Sequence, residues 1–227
     1  MAEQQALDLA RWILALFFPG VALFYIVRLT IRRRRLGYSA VSHGGRGSLH
    51  WWLAKTFVLF RSLITLTMLA RAFWPALDGY LLAIGFLMTP AVVFTGLSLL
   101  AVGFSLVIAL HFVMGAVWRS GLPSLGDVPP LITSGPFAWT RNPMFLAIHM
   151  AQLGLFLAFP SGFTAICLLA GVTVLQLQVR LEEVHLLAAH GRAYRDYCKA
   201  TPRWFRPLGW LLPRKAAVSS TADTAVR

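Results

Sequence analysis

Two short stretches of this 227-residue chain carry the side chains that could do chemistry. The first is Ser134-Gly135-Pro136-Phe137-Ala138-Trp139-Thr140-Arg141-Asn142-Pro143-Met144-Phe145. Gly135-Pro136 makes a turn, and Phe137 and Trp139 offer aromatic faces. Arg141 is a fixed cation, and Asn142 can both donate and accept. Pro143 has no N–H to satisfy and suits the first turn of a helix. The backbone donors at that helix start suit an anionic group.

The second stretch holds Arg180, Glu182, Glu183 and His185, then His190-Gly191-Arg192-Ala193-Tyr194-Arg195-Asp196-Tyr197, then Thr201-Pro202-Arg203-Trp204-Phe205. The chain has only eight acidic residues, and two of them stand side by side here. Neighbouring helix residues point about 100° apart, so Glu182 and Glu183 do not share a face. Glu183 is expected to turn inward, toward Arg141. His185 and His190 are read as loop candidates. His111 and His149 lie in apolar runs, where a hydrogen-bonded core histidine is the expectation. Cys167 and Cys198 form no CxxC pair, and no His/Cys cluster has zinc spacing, so no metal site is expected.

These stretches must be held by membrane helices. The chain is 58% hydrophobic and 13% charged, with a mean hydropathy of +0.68. A soluble fold of this length needs charged faces along its whole length. Here the apolar runs are continuous and reach the roughly 20 residues that cross a bilayer as helix. Continuous rather than alternating apolarity speaks against strands. The net charge of +13 sits beside the apolar spans, as anionic lipid favours, which argues against nucleic-acid binding.

The expected architecture is all-α, a polytopic membrane helix bundle of about five spans on that length argument. The first runs from Leu9 to Ile31, with a kink at Pro19-Gly20. Arg32, Arg33, Arg34 and Arg35 follow, which puts that end in the cytoplasm and the N-terminus outside. Residues 36–49 read as a loop. Trp51–Trp74 is the weakest span, because it carries Lys55, Arg61 and Arg71, and charges at such depth face a protein interior or snorkel. Residues 79–118 are too long for one span. Either Trp51–Trp74 crosses and 79–90 is a re-entrant or lumenal piece, or Trp51–Trp74 lies on the surface and 79–118 is a hairpin broken near Thr89-Pro90 or Gly96. The first is preferred, and both give five spans. After a loop at 119–142, with Arg119 and Arg141 marking the inside, Met144–Phe159 and Phe163–Val179 form a hairpin about Pro160-Ser161-Gly162. The end of the chain, from Lys215, reads as disordered.

The order Gly-Pro-Phe-x-x-x-Arg-Asn-Pro-Met-Phe, a short helical hairpin, Glu-Glu, Gly-x-x-Tyr-x-x-Tyr and Pro-Arg-Trp resembles the isoprenylcysteine carboxyl methyltransferase family, whose superfamily includes phospholipid N-methyltransferases. The resemblance covers residues 96–206. It leaves 1–95 as an N-terminal transmembrane region without a family assignment and 207–227 as a C-terminal tail. It implies an integral membrane methyltransferase that uses S-adenosyl-L-methionine, with a cytoplasmic pocket capped by the C-terminal segment and a lipid or isoprenoid substrate entering from the bilayer. Carried onto this chain, the cofactor-binding residues are Gly135, Pro136, Phe137, Trp139, Arg141, Asn142, Pro143, Phe145, Glu182, Glu183, Tyr194, Arg203 and Trp204. Tyr197 joins the closing segment, and Arg141 and Glu183 are the catalytic candidates. The family commonly has His-Pro and Tyr where this chain has Asn142-Pro143 and Phe145.

The chemistry agrees with that implication. Aromatic faces such as Phe137, Trp139 and Trp204 can hold a sulfonium. Glu183 can take the cofactor's amino group or ribose, and Arg141 its carboxylate. Methyl transfer needs alignment and exclusion of water more than acid–base groups. A carboxylate acceptor needs no base, which favours O-methylation over N-methylation. Two other readings compete: an NADPH-dependent reductase of the sterol-reductase type, which shares a similar hairpin and tail, and a non-catalytic membrane scaffold.

Overall fold

The structure is a computed structural model that describes residues 1–36, 45–115 and 130–205. The expected loops at 36–49 and 119–142 fall partly outside the described residues. The arginine Arg119 and the tail from 207 fall wholly outside them.

Seven α-helices are seen among the described residues, with no strand. They are α1 (Ala2–Leu36), α2 (Leu49–Phe73), α3 (Leu77–Tyr80), α4 (Pro90–Met114), α5 (Pro143–Ala158), α6 (Gly162–His190) and α7 (Arg192–Ala200). Four of them, α1, α2, α4 and α6, are long and apolar enough to cross a membrane. The shorter apolar α5 pairs with α4 and α6. The chain is a polytopic helical membrane bundle.

Local chemistry sets the boundaries. Ser48 caps α2 by accepting from the Trp51 N–H at 3.2 Å. Thr89 caps α4 in the same way, with Pro90 in the first turn where its missing N–H costs nothing. Thr89-Pro90 is therefore a helix start, and α4 runs unbroken through Gly96 to Met114. Residues 77–88 form α3 and a 3-10 turn at Gly85–Leu87. The arrangement with a long α2 and a non-spanning piece near 79–90 is the one the molecule adopts. The hairpin over 79–118 is excluded, because α4 is a single helix. Pro19 lies inside α1 without ending it.

At Pro160-Ser161-Gly162 the chain turns sharply, and Ser161 and Thr164 form a reciprocal capping box that starts α6. That turn is stitched to the α3–α4 connector by Ile84 N–H to Pro160 O at 2.8 Å and Gly162 N–H to Leu82 O at 3.0 Å. One consequence is that α6 is longer than the sequence suggests. It passes Val179 and continues to His190, so His185 and His190 are helix residues rather than loop residues.

The glycine the sequence offered as a break is a packing residue. A Cβ at Gly96 would collide with the Ala158 backbone, and one at Gly154 with the Leu100 backbone. Gly96, Gly103 and Gly154 let α4 and α5 approach closely, the usual way membrane helices gain contact without a hydrophobic driving force. The core beside them is Leu14, Met68, Val93, Leu97, Leu155 and Phe159.

Charges on α2 are handled in three ways. Lys55 is exposed beside the Trp51 ring at 5.6 Å. Arg71 is 2% exposed, lies 3.2 Å from the centre of the Phe159 ring, and pairs with Asp78 at 2.6 Å. Asp78 also receives Arg11 from α1 at 2.9 Å. This network ties α1, α2 and α3 together at the end of the bundle away from Asn142. Burial works against ionisation of Asp78, but the hydrogen bonds and charges of Arg71 and Arg11 outweigh it and hold the carboxyl below its ordinary value. Arg61, the third cation, faces a cavity.

Candidate functional site

The loop before α5 and the segment after α7 are built as one unit. Residues 135–138 form a 3-10 turn, and Gly135 takes a left-handed φ of 59° that favours glycine there. Beyond it the main chain pairs with the closing segment: Arg141 N–H donates to Pro202 O at 2.9 Å. Thr140 Oγ1 and Asn142 Nδ2 both donate to Arg203 O, at 3.0 and 3.1 Å. Thr140 and Asn142 are buried for this reason.

Arg141 is the centre of the unit. Its Nε and Nη2 donate to Glu183 Oε1 at 3.2 and 2.9 Å. Its Nη1 donates to Cys198 O at 3.2 Å and Thr201 O at 2.8 Å. Arg203 reaches the same carboxylate from the other side, its Nε donating to Oε1 and Oε2 at 3.1 and 3.0 Å. The expected inward turn of Glu183 toward Arg141 is what the molecule shows. That carboxylate joins α5's loop, α6 and the closing segment. Its hydrogen bonds also lift the Arg203 guanidinium above its ordinary pKa.

Helix α7 is pinned by two tyrosines. Tyr194 is 3% exposed, and Tyr197 donates its hydroxyl to Phe137 O at 2.7 Å. Burial raises both phenols, Tyr197 to about 12. They are neutral anchors at physiological pH. Trp204 packs edge-on against His149 with ring centres 5.5 Å apart. His149 Nδ1 lies 2.7 Å from Phe145 O, and His111 Nδ1 2.7 Å from Val107 O. Both bond the carbonyl one turn back, the core role expected of them.

Beneath this unit a cavity of about 650 Å³ runs into the bundle between α1, α2, α4, α5 and α6. Phe137, Arg141, Asn142, Pro143, Phe145 and Glu182 line its end near the loop. Adjacent carboxylates thus divide their work as the helix angle requires: Glu183 faces the closing segment and Glu182 the cavity. Gly135, Pro136, Trp139, Glu183, Tyr194, Arg203 and Trp204 stand outside the lining, and Trp139 is 73% exposed. The sequence reading passed over several polar lining residues. His50 and Gln178 meet across α2 and α6, with His50 Nδ1 3.2 Å from Gln178 Oε1. Gln152 and Tyr25 line it too. The signal that could have found the glutamines is an amide side chain inside an apolar run. For His50 and Tyr25 only packing decides.

Residues 91–193 match the family model described as phospholipid methyltransferase. The match takes in α4, the Arg141 loop, α5, α6 and the start of α7, and it agrees with the family resemblance carried by the sequence motifs. No curated protein and no solved structure matches the chain.

Proposed function

From the phospholipid methyltransferase segment at residues 91–193, we propose that this chain is an S-adenosyl-L-methionine-dependent membrane methyltransferase acting on a lipidic or isoprenoid acceptor that enters from the bilayer. The observation that carries the reading is the pairing of a closed loop-and-cap unit with an apolar cavity directly beneath it.

The donor set fits such a cofactor. Phe137 and Phe145 put aromatic rings on the lining, where cation–π attraction favours a sulfonium. Glu182 puts a carboxylate there for an amino group or ribose hydroxyls. The cofactor, when bound, supplies an electrophilic methyl group. Arg141 and Glu183 saturate each other, so their part is to hold the loop and the cap in register. Asn142 fixes the cap through Arg203 O. The closed unit excludes water from an in-line displacement. A carboxylate acceptor needs no base, and O-methylation remains the favoured chemistry. The arginines that end α1 support a cytoplasmic site. The family match at residues 91–193 favours this reading over a reductase.

Calorimetric titration of detergent-purified protein with S-adenosylmethionine, S-adenosylhomocysteine and NADPH tests it. Micromolar binding of the first two is expected. Binding of NADPH alone, or of none, overturns the reading.

A further inference from the structure

Arg61 is the central residue of the 25-residue α2, with twelve residues on either side. At about 1.5 Å per residue its Cα lies roughly 18 Å from each end of the helix. That is the middle of a span, where a charge is costly and is kept only when a protein interior or a ligand receives it. Among the described residues no carboxylate pairs with it. Its guanidinium lies 5.5 Å from the centre of the Tyr25 ring, on the wall of the cavity. The contrast with Arg71 on the same helix is direct: that guanidinium is neutralised by Asp78 at 2.6 Å.

A second polar group lines the same cavity. Gln152 on α5 has a buried Oε1 without a hydrogen-bond partner. The chain makes room for this amide, since a Cβ at Gly171 on α6 would collide with it. Gln152 is ten residues beyond Asn142 along α5, about 15 Å of helix, and Arg61 stands eleven residues beyond His50 along α2. The apolar lining includes Leu53, Phe57, Val107 and Ile148.

We propose that this cavity is the chamber of the methyl acceptor and that the acceptor is an acidic amphiphile, whose carboxylate or phosphate is anchored by Arg61, with Gln152 as a further polar group on the lining. The proposal rests on the methyltransferase reading of the site. The anchoring anion is a second group of the acceptor, distinct from the one that is methylated. The acceptor carries a nucleophile near Asn142 and Glu182, an apolar stretch, and an anion at Arg61. A bound anion removes the cost of an unpaired cation at that depth. A cavity of 300–1,000 Å³ is the usual size for a small-molecule ligand.

The test uses the full chain in detergent, titrated calorimetrically with palmitate, hexadecyl phosphate and hexadecanol. At least one of the two anions is expected to bind 10-fold or more tighter than the alcohol. Which one leads decides between carboxylate and phosphate. Arg61→Gln is expected to bring the anions to the alcohol's affinity, and Arg61→Lys to retain part of the preference. Equal binding of anions and alcohol by the wild-type protein overturns the proposal without recourse to any variant, as does an undiminished preference in Arg61→Gln. Titration of the same wild-type sample with S-adenosylmethionine keeps the two failures apart. Anion selectivity without cofactor binding would sink the methyltransferase reading alone, and cofactor binding without anion selectivity would sink the anchoring role alone.

Discussion

Arg141, in the loop that leads into α5, and Glu183, far along α6, are joined by two hydrogen bonds of 3.2 and 2.9 Å with both side chains 12% exposed. The pair is completed by Arg203, so one carboxylate fastens three segments. Glu183→Ala leaves two guanidinium groups facing each other without their shared partner, a loss on the order of 3 kcal/mol for a buried pair. Affinity for S-adenosylmethionine should fall at least 10-fold in Glu183→Ala and in Arg141→Ala, while the protein stays folded in detergent. Because the residues act through one contact, the double variant should lose little more than either single one. Calorimetry on the three variants checks this, and wild-type affinity in both single variants would remove the pair from the site.

Glu182 gives the opposite expectation. It lines the cavity and shares no ion pair with the cap. Glu182→Gln should weaken cofactor binding about 10-fold, in keeping with the loss of a charge-assisted hydrogen bond. Its melting temperature should match wild type, whereas that of Glu183→Gln should fall. A melting curve beside a binding isotherm separates the two carboxylates.

Tyr197→Phe removes one hydrogen bond and leaves Phe137 O without its 2.7 Å donor. The expected cost is about 1 kcal/mol. Because the bond pins α7 to the 3-10 turn, limited proteolysis near Arg192 and Arg195 should speed up. Unchanged cleavage would mean that Tyr194 and the Arg141 bond to Cys198 O hold α7 without it.

At the far end of the bundle, Asp78 holds Arg71 and Arg11. Its carboxyl is depressed in the folded protein, so its contribution to stability is fully present above the unfolded pKa of about 4 and is lost as pH falls through the lower folded value. Asp78→Asn should lower the melting temperature at neutral pH and flatten the acid limb of the stability curve. A variant whose acid sensitivity equals wild type would show that the loss on acidification comes from elsewhere.

Gly154→Leu forces a side chain into the Leu100 backbone. Overpacking of this kind costs typically 1–3 kcal/mol. Here it should separate α4 from α5 and move Asn142 and Pro143 with the latter. Loss of both thermal stability and cofactor affinity is expected, measured in the same preparation.

Much was legible in the chain itself. Continuous apolar runs determined a helical membrane bundle, because a bilayer leaves a backbone no other partner than its own turn. Pro90, Pro143 and the Pro160-Ser161-Gly162 turn marked helix boundaries through local sterics and capping, which need no tertiary information. The 100° step between neighbours already separated Glu182 from Glu183. The resemblance carried by the Arg141 loop and the Glu-Glu pair agrees with the family match at residues 91–193.

Other features depended on residues distant in the chain. Gly96 reads as a breaker in isolation and becomes a packing residue only because Ala158 arrives against it. The end of α6 at His190 was hidden, since a polar segment continues a helix only where α7 and the cap cover one side. The sequence determined which groups were available: a cation at the centre of α2, a carboxylate pair, a loop of aromatics. Tertiary packing alone decided that Arg141 spends its donors on Glu183, that Glu182 faces the cavity, and that Arg61 stands on its wall. Pairing and burial are set by helices meeting across the bundle, and hydropathy along one helix does not encode which neighbour it meets.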